Sequence, residues 1–430
     1  MRTVVILSPH FPPATLAGVH RARHLAKHLP EFGWHPIVVR ADERHYTEAL
    51  DPELAALVPS YVEQVRTSAV PAGLARIFGI GDIGVRGFFG YRSAVDALVK
   101  TQRVDAVLIT GSPFYPMLLA QHVRERLGIP VILDFQDPWI SAEGARRPRW
   151  TKGWAAHRLA VMLEPQAVRH ADFITSVSER QNDEMLMRYP LLDRSRTAAI
   201  PIGGDPDDYE SLRKNDTLNT QVGVAGTAIE PELCIRYVGT LWPAAISTLR
   251  VFLESIGELR QRRPDLYGRL KLSFIGTTRN PESPDGCWVS GDASQLGISR
   301  VIETRQERVP YLEAIKVQAQ SDVILLLGST EAHYTASKIY GVLMSGRPYL
   351  SIFHRLSSSH EILNSAGGGI AISFDSEAEL SKLRSEIVSA LEKLLDGIGE
   401  IGRPDPEAYA PYTAHSIAGQ FADVLEKVTL

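Results

Sequence analysis

The chain has 430 residues, 44% of them hydrophobic and 22% charged, with a formal net charge of −4. That length exceeds one ordinary domain, so two are expected, and the charge balance excludes a global basic footprint for nucleic acid. Two distant cysteines, Cys234 and Cys287, and no apolar run near the ~18 residues of a membrane span argue against a disulfide framework, a structural zinc or a spanning helix. The expected location is the cytoplasm, with the inner face of the membrane as a possible peripheral site.

In chain order, TVVILS (residues 3–8) predicts a short buried strand. The loop PHFPPATLAG follows. Val19, Ala22, Leu25, Ala26 and Leu29 then recur at helical spacing before the next strand, WHPIVVR. This β-loop-α-β order opens a parallel doubly wound sheet. Residues 41–92 carry several Pro and Gly breaks and predict short helices or an irregular excursion. The alternation resumes with AVDALVK (helix), DAVLIT (strand), GSPFYPMLLAQHVRERLG (loop and helix) and PVILDF (strand). A helix around 153–170, DFITSVS (strand), ERQNDEMLMRY (helix) and TAAIPIGG (strand) complete the first half. Within it, the basic run ARRPRWTKGW at 145–154 reads either as a solvated loop and helix start or as a contact for an anionic acceptor or a membrane surface.

Residues 205–230 are polar and weakly periodic, as a linker would be. A second alternation starts at CIRYVGT. It continues through STLRVFLESIGELRQRRP (helix), LKLSFIG and VIETRQ (strands), YLEAIKVQAQ (helix), SDVILLLG (strand), ASKIYGVLMSG (helix) and RPYLSIF (strand). Two amphipathic helices, EAELSKLRSEIVSALEKLL and TAHSIAGQFADVLEKV, end the chain. The fold class is therefore α/β, with two Rossmann-like domains expected to face across a cleft. Their expected bounds are 1–205, a linker at 206–231, 232–405, and a C-terminal helix at 406–430.

Candidate functional residues sit where strands end. His10 and Gly18 flank the first loop, where a glycine lets backbone amides approach a ligand at a helix start. In VILDFQDPW, Asp134 and Asp137 leave a strand at its carboxyl end, and Trp139 offers either a stacking platform for a sugar or a core residue. Asp205, Asp207 and Asp208 could be read as a metal motif, but such clusters are more often solvated turns, and no metal is expected. Gly239 and Thr240 in YVGTLWP lie at the corresponding edge of the second half. In HYTASKIYGVLMSGRP, a cap at Thr335 would aim the amides of Ala336, Ser337 and Lys338 at an anion. Lys338 opposes the helix dipole there, and Gly341 weakens the helix one turn later. GxSxG, HExxH, Walker A and CxxC motifs do not occur.

The order of these segments resembles the GT-B-fold glycosyltransferases, and among them the family-four, retaining group. PHFPPATLAGVHRARHLAKHLPEFGWHPIVV is similar to that group's opening strand, glycine loop, helix and second strand. AVRHADFITSVSE, IPIGGDPDDY, IRYVGTLWP and TASKIYGVLMSGRPYL are similar to further segments in the same order. The resemblance implies a hexosyltransferase of retaining type. Its donor would be a nucleotide-diphosphate sugar, a UDP-sugar ahead of a GDP-sugar, held mainly by the second domain without a metal or other cofactor. A hydroxyl acceptor (saccharide, lipid-linked or small molecule) would be held by the first domain, with Gly18 and Trp139 at its site. The diphosphate would lie on Thr335, Ala336 and Ser337 beside Lys338, with Gly239 and Thr240 across from it and the base near Val309 and Pro310. Asp137 or Asp134, with His10, would orient the reacting groups.

Two glutamates common in the group fall on His333 and Gly341 here. The usual Arg and Lys after the first donor-domain strand are replaced by TLWPAAISTLR, with Arg250 about two turns later. These departures leave two alternatives, a GT-B protein that binds a sugar or nucleotide without catalysis and a sugar-nucleotide epimerase.

Overall fold

Val4, Val5, Ile6 and Leu7 are wholly buried, so strand β1 (Arg2–Leu7) has no polar face along this run. A strand apolar on both faces belongs inside a sheet with helices on either side. In the computed structural model, β1 lies between β2 (Trp34–Ala41) and β4 (Ala106–Gly111). The structure describes residues 1–214, 232–278, 288–331 and 336–430. It divides them into two units, Met1–Gly203 with Ala414–Leu430, and Gly204–Thr413.

In the first unit, β3 (Glu63–Thr67), β5 (Val131–Phe135), β6 (Phe173–Ser176) and β7 (Thr197–Ala199) complete a seven-stranded sheet. Its order is β3-β2-β1-β4-β5-β6-β7, and every pair is parallel. The helices Val19–His28 and Ala414–Thr429 pack together on one face, where Ala22, Leu25, Ile417 and Phe421 join Val4, Ile6 and Leu108. The helices Phe88–Thr101 and Lys152–Arg169 cover the other face, against Val5, Leu7 and Ile109.

The second unit repeats the plan with six parallel strands. They are β8 (Leu233–Val238), β9 (Leu270–Ile275), β10 (Ile302–Arg305), β11 (Val323–Leu327), β12 (Tyr349–His354) and β13 (Gly369–Phe374). Their order is β10-β9-β8-β11-β12-β13. In both sheets the strand order reverses beside the first strand, between β1 and β4 and between β8 and β11. Open α/β sheets bind ligands at that switch point, beyond the carboxyl ends of the strands.

Three features differ from the expectations. Strand β3 is an edge strand with Glu63 and Arg66 exposed, so no buried apolar run marks it. Strand β13 begins on the last glycine of a triplet, Gly367 to Gly369. Gly368 has a φ of +70°, and a Cβ there would stand 2.0 Å from the nitrogen of Pro404, so the residue must be glycine. Pro206–Lys214, read as linker from its polarity, is a helix of the second unit. It buries Tyr209 and Leu212 against the helices Tyr311–Ala319 and Lys338–Ser345. Residues 215–231 of the expected linker lie outside the described residues.

Asp134 is corrected as a catalytic candidate. It is wholly buried, with Oδ2 3.3 Å from Nε of the equally buried Arg21. Thr110 Oγ1 and Thr175 Oγ1 each donate to its carboxylate at 2.9 Å. Arg21 in turn donates to the carbonyls of Pro201 and Ile200 at 2.7 Å and lies over the Phe421 ring. The pair ties the first helix, β4, β5, β6, the segment after β7 and the C-terminal helix together.

Removing one partner strands the other charge. Asp134→Ala is expected to lower unfolding free energy by about 3–5 kcal/mol, while Arg21→Met with Asp134→Leu costs less than Asp134→Ala alone. Urea denaturation of the three proteins measures both effects.

Candidate functional site

The second unit places its candidates at the switch point. Gly239 directly follows β8 and has a φ of +122°, a conformation that excludes ordinary side chains. A Cβ there would also meet Lys338 Cε at 2.8 Å and Nζ at 2.9 Å. Glycine therefore opens the space that Lys338 occupies. Lys338 Nζ donates to Tyr237 Oη at 2.7 Å and lies 3.4 Å from the Thr240 carbonyl oxygen. Tyr237 passes its own proton on to that carbonyl at 3.0 Å.

No carboxylate among the described residues pairs with Lys338. Burial alone acts on its ammonium and pushes the pKa down from 10.5 to about 7. An anion beside Lys338 would favour the charged amine; of the amides at the start of the helix Lys338–Ser345, that of Ile339 already donates to the Ala336 carbonyl at 3.2 Å.

Two residues not singled out from sequence join this edge. Gly276 follows β9 with a φ of +71°, and a Cβ there would lie 3.9 Å from Gly239 Cα and 3.7 Å from Arg308 Cα. Arg308, beyond β10, brings a second cation-bearing segment to the same place. A glycine immediately after each strand was the available signal. Val309 and Pro310 follow Arg308 directly, with Pro310 preceding the helix Tyr311–Ala319.

Other expectations change. The amide of Ala336 donates to Ser359 Oγ at 2.9 Å, so it is already engaged and does not stand open to a diphosphate. Ser337 is exposed, and its side chain makes no capping bond. Thr335 and His333 lie outside the described residues. Gly341 has a packing reason. The Tyr209 hydroxyl lies 2.8 Å from the Gly341 carbonyl oxygen and 2.8 Å from Gln318 Oε1, and a Cβ on residue 341 would approach that hydroxyl to 3.3 Å. Tyr209 fills the space a glutamate at 341 would need.

In the first unit the loops after β1, β4 and β5 converge. A Cβ on Gly18 would lie 3.6 Å from both Ser112 O and Gln136 Oε1. Gln136 Nε2 donates to Thr110 Oγ1 at 2.6 Å. Asp137, the next residue, is exposed at the carboxyl end of the sheet. Trp139 is corrected as a stacking platform. It is 9% exposed and stacks on Phe114 at 5.5 Å, inside the apolar core.

His10 Nδ1 lies 2.6 Å from Glu48 Oε1, and its ring packs on Tyr46 at 5.3 Å. Burial would raise the Glu48 carboxyl, but the contact with His10 and backbone bonds outweigh it and hold the pKa below the ordinary value. His10 Nδ1 and Glu48 Oε1 make no hydrogen bond in this geometry, so the carboxylate would act on the ring by its charge in any base role at the other nitrogen. Glu48 lies in the 41–92 excursion, where no periodicity or motif pointed to it. His20 is the wrong imidazole for that role, since burial and Arg23 drive its pKa to about 3.

The glycosyl transferase 4-like domain family matches residues 17–203. Among solved structures, HepE from Anabaena, in complex with UDP-glucose, is 13% identical with a TM-score of 0.61, covering 99% of this chain and 100% of that one. Sucrose-phosphate synthase from Thermosynechococcus elongatus is 13% identical with a TM-score of 0.62, covering 99% of each chain. A UDP-forming trehalose-phosphate synthase from Burkholderia xenovorans is 13% identical with a TM-score of 0.63, covering 100% of both. No curated protein matches by sequence. The family match covers the first unit, and the solved structures agree with the two-sheet fold that the resemblance implied.

The setting of Lys338 gives a direct test. After reductive ¹³C-methylation, one lysine resonance is expected to titrate near pH 7, and it should vanish in Lys338→Arg. A full set of lysines titrating near 10.5 would remove the anion-ready amine.

Proposed function

From a chain whose residues 17–203 match the glycosyl transferase 4-like domain family, and whose two sheets are similar to GT-B structures, we propose a specific reaction. The enzyme moves a sugar from a nucleotide-diphosphate donor to a hydroxyl acceptor, with retention as the resemblance implies. The observation that carries this reading is Lys338, enclosed at the second switch point with no carboxylate partner among the described residues.

The bond between the anomeric carbon and the diphosphate breaks, and negative charge grows on the leaving oxygen. Lys338 and the helix start meet that charge, which is the stabilisation glycosyl transfer needs, and no metal is invoked for it. The donor is a UDP-sugar in this reading, supported by the UDP-glucose bound to HepE and by the UDP-forming synthase of the same fold. Gly239, Thr240, Ser337 and Lys338 would border the diphosphate, and Val309 and Pro310 the base. Tyr209 fills the space a glutamate at residue 341 would need, so ribose contacts would come from elsewhere in the same edge. Asp137 and His10 would position the acceptor hydroxyl.

A second reading of the stereochemistry is favoured by the His10–Glu48 pair. If the imidazole takes the acceptor proton for attack on the face opposite the diphosphate, the product is inverted. Proton NMR of the new anomeric centre decides between the two. In either case Glu48→Gln and Asp137→Asn are expected to lower turnover at least tenfold while UDP-glucose affinity stays within twofold, in line with roughly 10²–10⁴ for a positioned acid or base. Unaltered turnover in both variants removes them from the reaction.

Donor affinity also follows the Lys338 charge. A bound diphosphate favours the protonated amine, so binding takes up a proton. Affinity for UDP-glucose is therefore expected to be highest below pH 7 and to fall as pH rises to 8.5, the donor's phosphates having no titration in that window. Lys338→Ala should weaken binding by roughly 10- to 100-fold, as a charge-assisted bond of about 1.5–3 kcal/mol implies, and flatten the pH profile. Calorimetry across that range, with and without a chelator, measures affinity, proton uptake and metal dependence together.

A further inference from the structure

Large apolar side chains stand in water at two places on the first unit. Leu74, Ile77, Phe78 and Phe89 are 59%, 76%, 81% and 78% exposed. Trp150, Leu159 and Met162 are 87%, 45% and 64% exposed. Scattered exposed apolar residues need no reason, but a grouping of this size marks a surface that meets something.

The helices that carry Phe89, Leu159 and Met162 border one feature. The helices Ile83–Arg86, Phe88–Thr101 and Lys152–Arg169 all pack on the turn Tyr115–Leu118 that follows β4. Gly84 fits tightly there, where a Cβ would meet Pro116 at 2.7 Å and Pro113 at 3.0 Å. This turn leaves the carboxyl end of β4, beside the switch point where His10 and Asp137 lie. The helices that carry Phe89, Leu159 and Met162 therefore pack beside the region assigned to the acceptor.

Charge selects the partner. The protein is acidic overall, at −4, yet residues 144–163 contain no Asp or Glu and carry Arg146, Arg147, Arg149, Lys152 and Arg158, all exposed. Residues 68–92 hold a single carboxylate, Asp82, which caps a helix by accepting from the amide of Val85. Ala155, Leu159 and Met162 recur at helical spacing on the outward side of Lys152–Arg169, opposite the buried Ala160, Ala167 and Val168. Trp150 holds a φ of +69°, which bulky residues rarely adopt, and lies 5.4 Å from Trp154. An amphipathic helix flanked by cations and exposed aromatic rings is the chemistry that lies in a lipid headgroup layer.

We propose that this face docks on an anionic lipid bilayer, so that the hydroxyl acceptor is one presented at a membrane surface. The docking stands on the exposed side chains and charges alone, whereas the acceptor clause rests on the transferase reading. A second copy is disfavoured as occupant, because two faces of the same positive sign would meet.

The test uses the full chain and vesicles of phosphatidylcholine, alone or with one part in three phosphatidylglycerol. Sedimentation at ~0.1 M salt should show binding to the anionic vesicles, lost at ~1 M, with little binding to neutral ones. Arg146→Glu with Arg149→Glu and Lys152→Glu should reduce partitioning by well over tenfold, each lost cation alone accounting for about fivefold. Phe78→Ser with Phe89→Ser should reduce it while leaving the salt dependence in place. Absent or charge-independent partitioning, or variants that bind as the parent does, overturn the proposal. So does light scattering that shows a dimer which Phe78→Ser dissociates. UDP-glucose calorimetry on each variant reports folding and keeps failure of the docking separate from failure of the transferase reading.

Discussion

The Arg21–Asp134 pair is the constraint on which the first unit depends. Two opposite charges with no solvent exposure are costly to bury, and they persist because each faces the other and further hydrogen-bond partners. The threonines of β4 and β6 hold the carboxylate, and the carbonyls of Ile200 and Pro201 hold the guanidinium. The pair thereby sets the first helix against the strand ends at the switch point. The loops carrying His10, Gly18 and Asp137 inherit their positions from that arrangement, as a reactive group on a loop must from a rigid frame.

The second unit solves a related problem in the opposite way. Its enclosed cation, Lys338, receives a tyrosine hydroxyl and a carbonyl oxygen but no carboxylate among the described residues. With its pKa lowered to about 7 the amine can shed its charge there, and an anion at that place would favour the charged form. Gly239 makes it possible by combining a positive φ with the absence of a side chain. The departures from the family pattern fit this arrangement. The cation comes from the helix after β11 instead of the loop after β8, and Tyr209 fills the space that glycine at 341 leaves free.

Much of the frame was legible in the chain. Nearly continuous apolar runs such as VVIL and VILLL announce interior parallel strands, and the strand–helix alternation announces two doubly wound sheets. Strands β3 and β13 were not legible, because the edge strand carries no apolar run and the short IAISF run of β13 starts directly on a glycine triplet. Asp134 and Trp139 looked functional because they sit beside Asp137 at a strand end. Their burial, which one residue's shift in direction decides, could not be read from their types.

The sequence by itself determined the fold class, the strand ends where chemistry could lie, and Lys338 as a cation in an unfavourable first turn. Those follow from local periodicity and helix electrostatics. Only the tertiary structure decided that Lys338 has no acidic partner among the described residues, that Glu48 faces His10, and that Tyr209 explains Gly341. Each joins residues tens to more than a hundred positions apart, and contacts across such separations are set by how the sheets and helices pack, which no local pattern encodes.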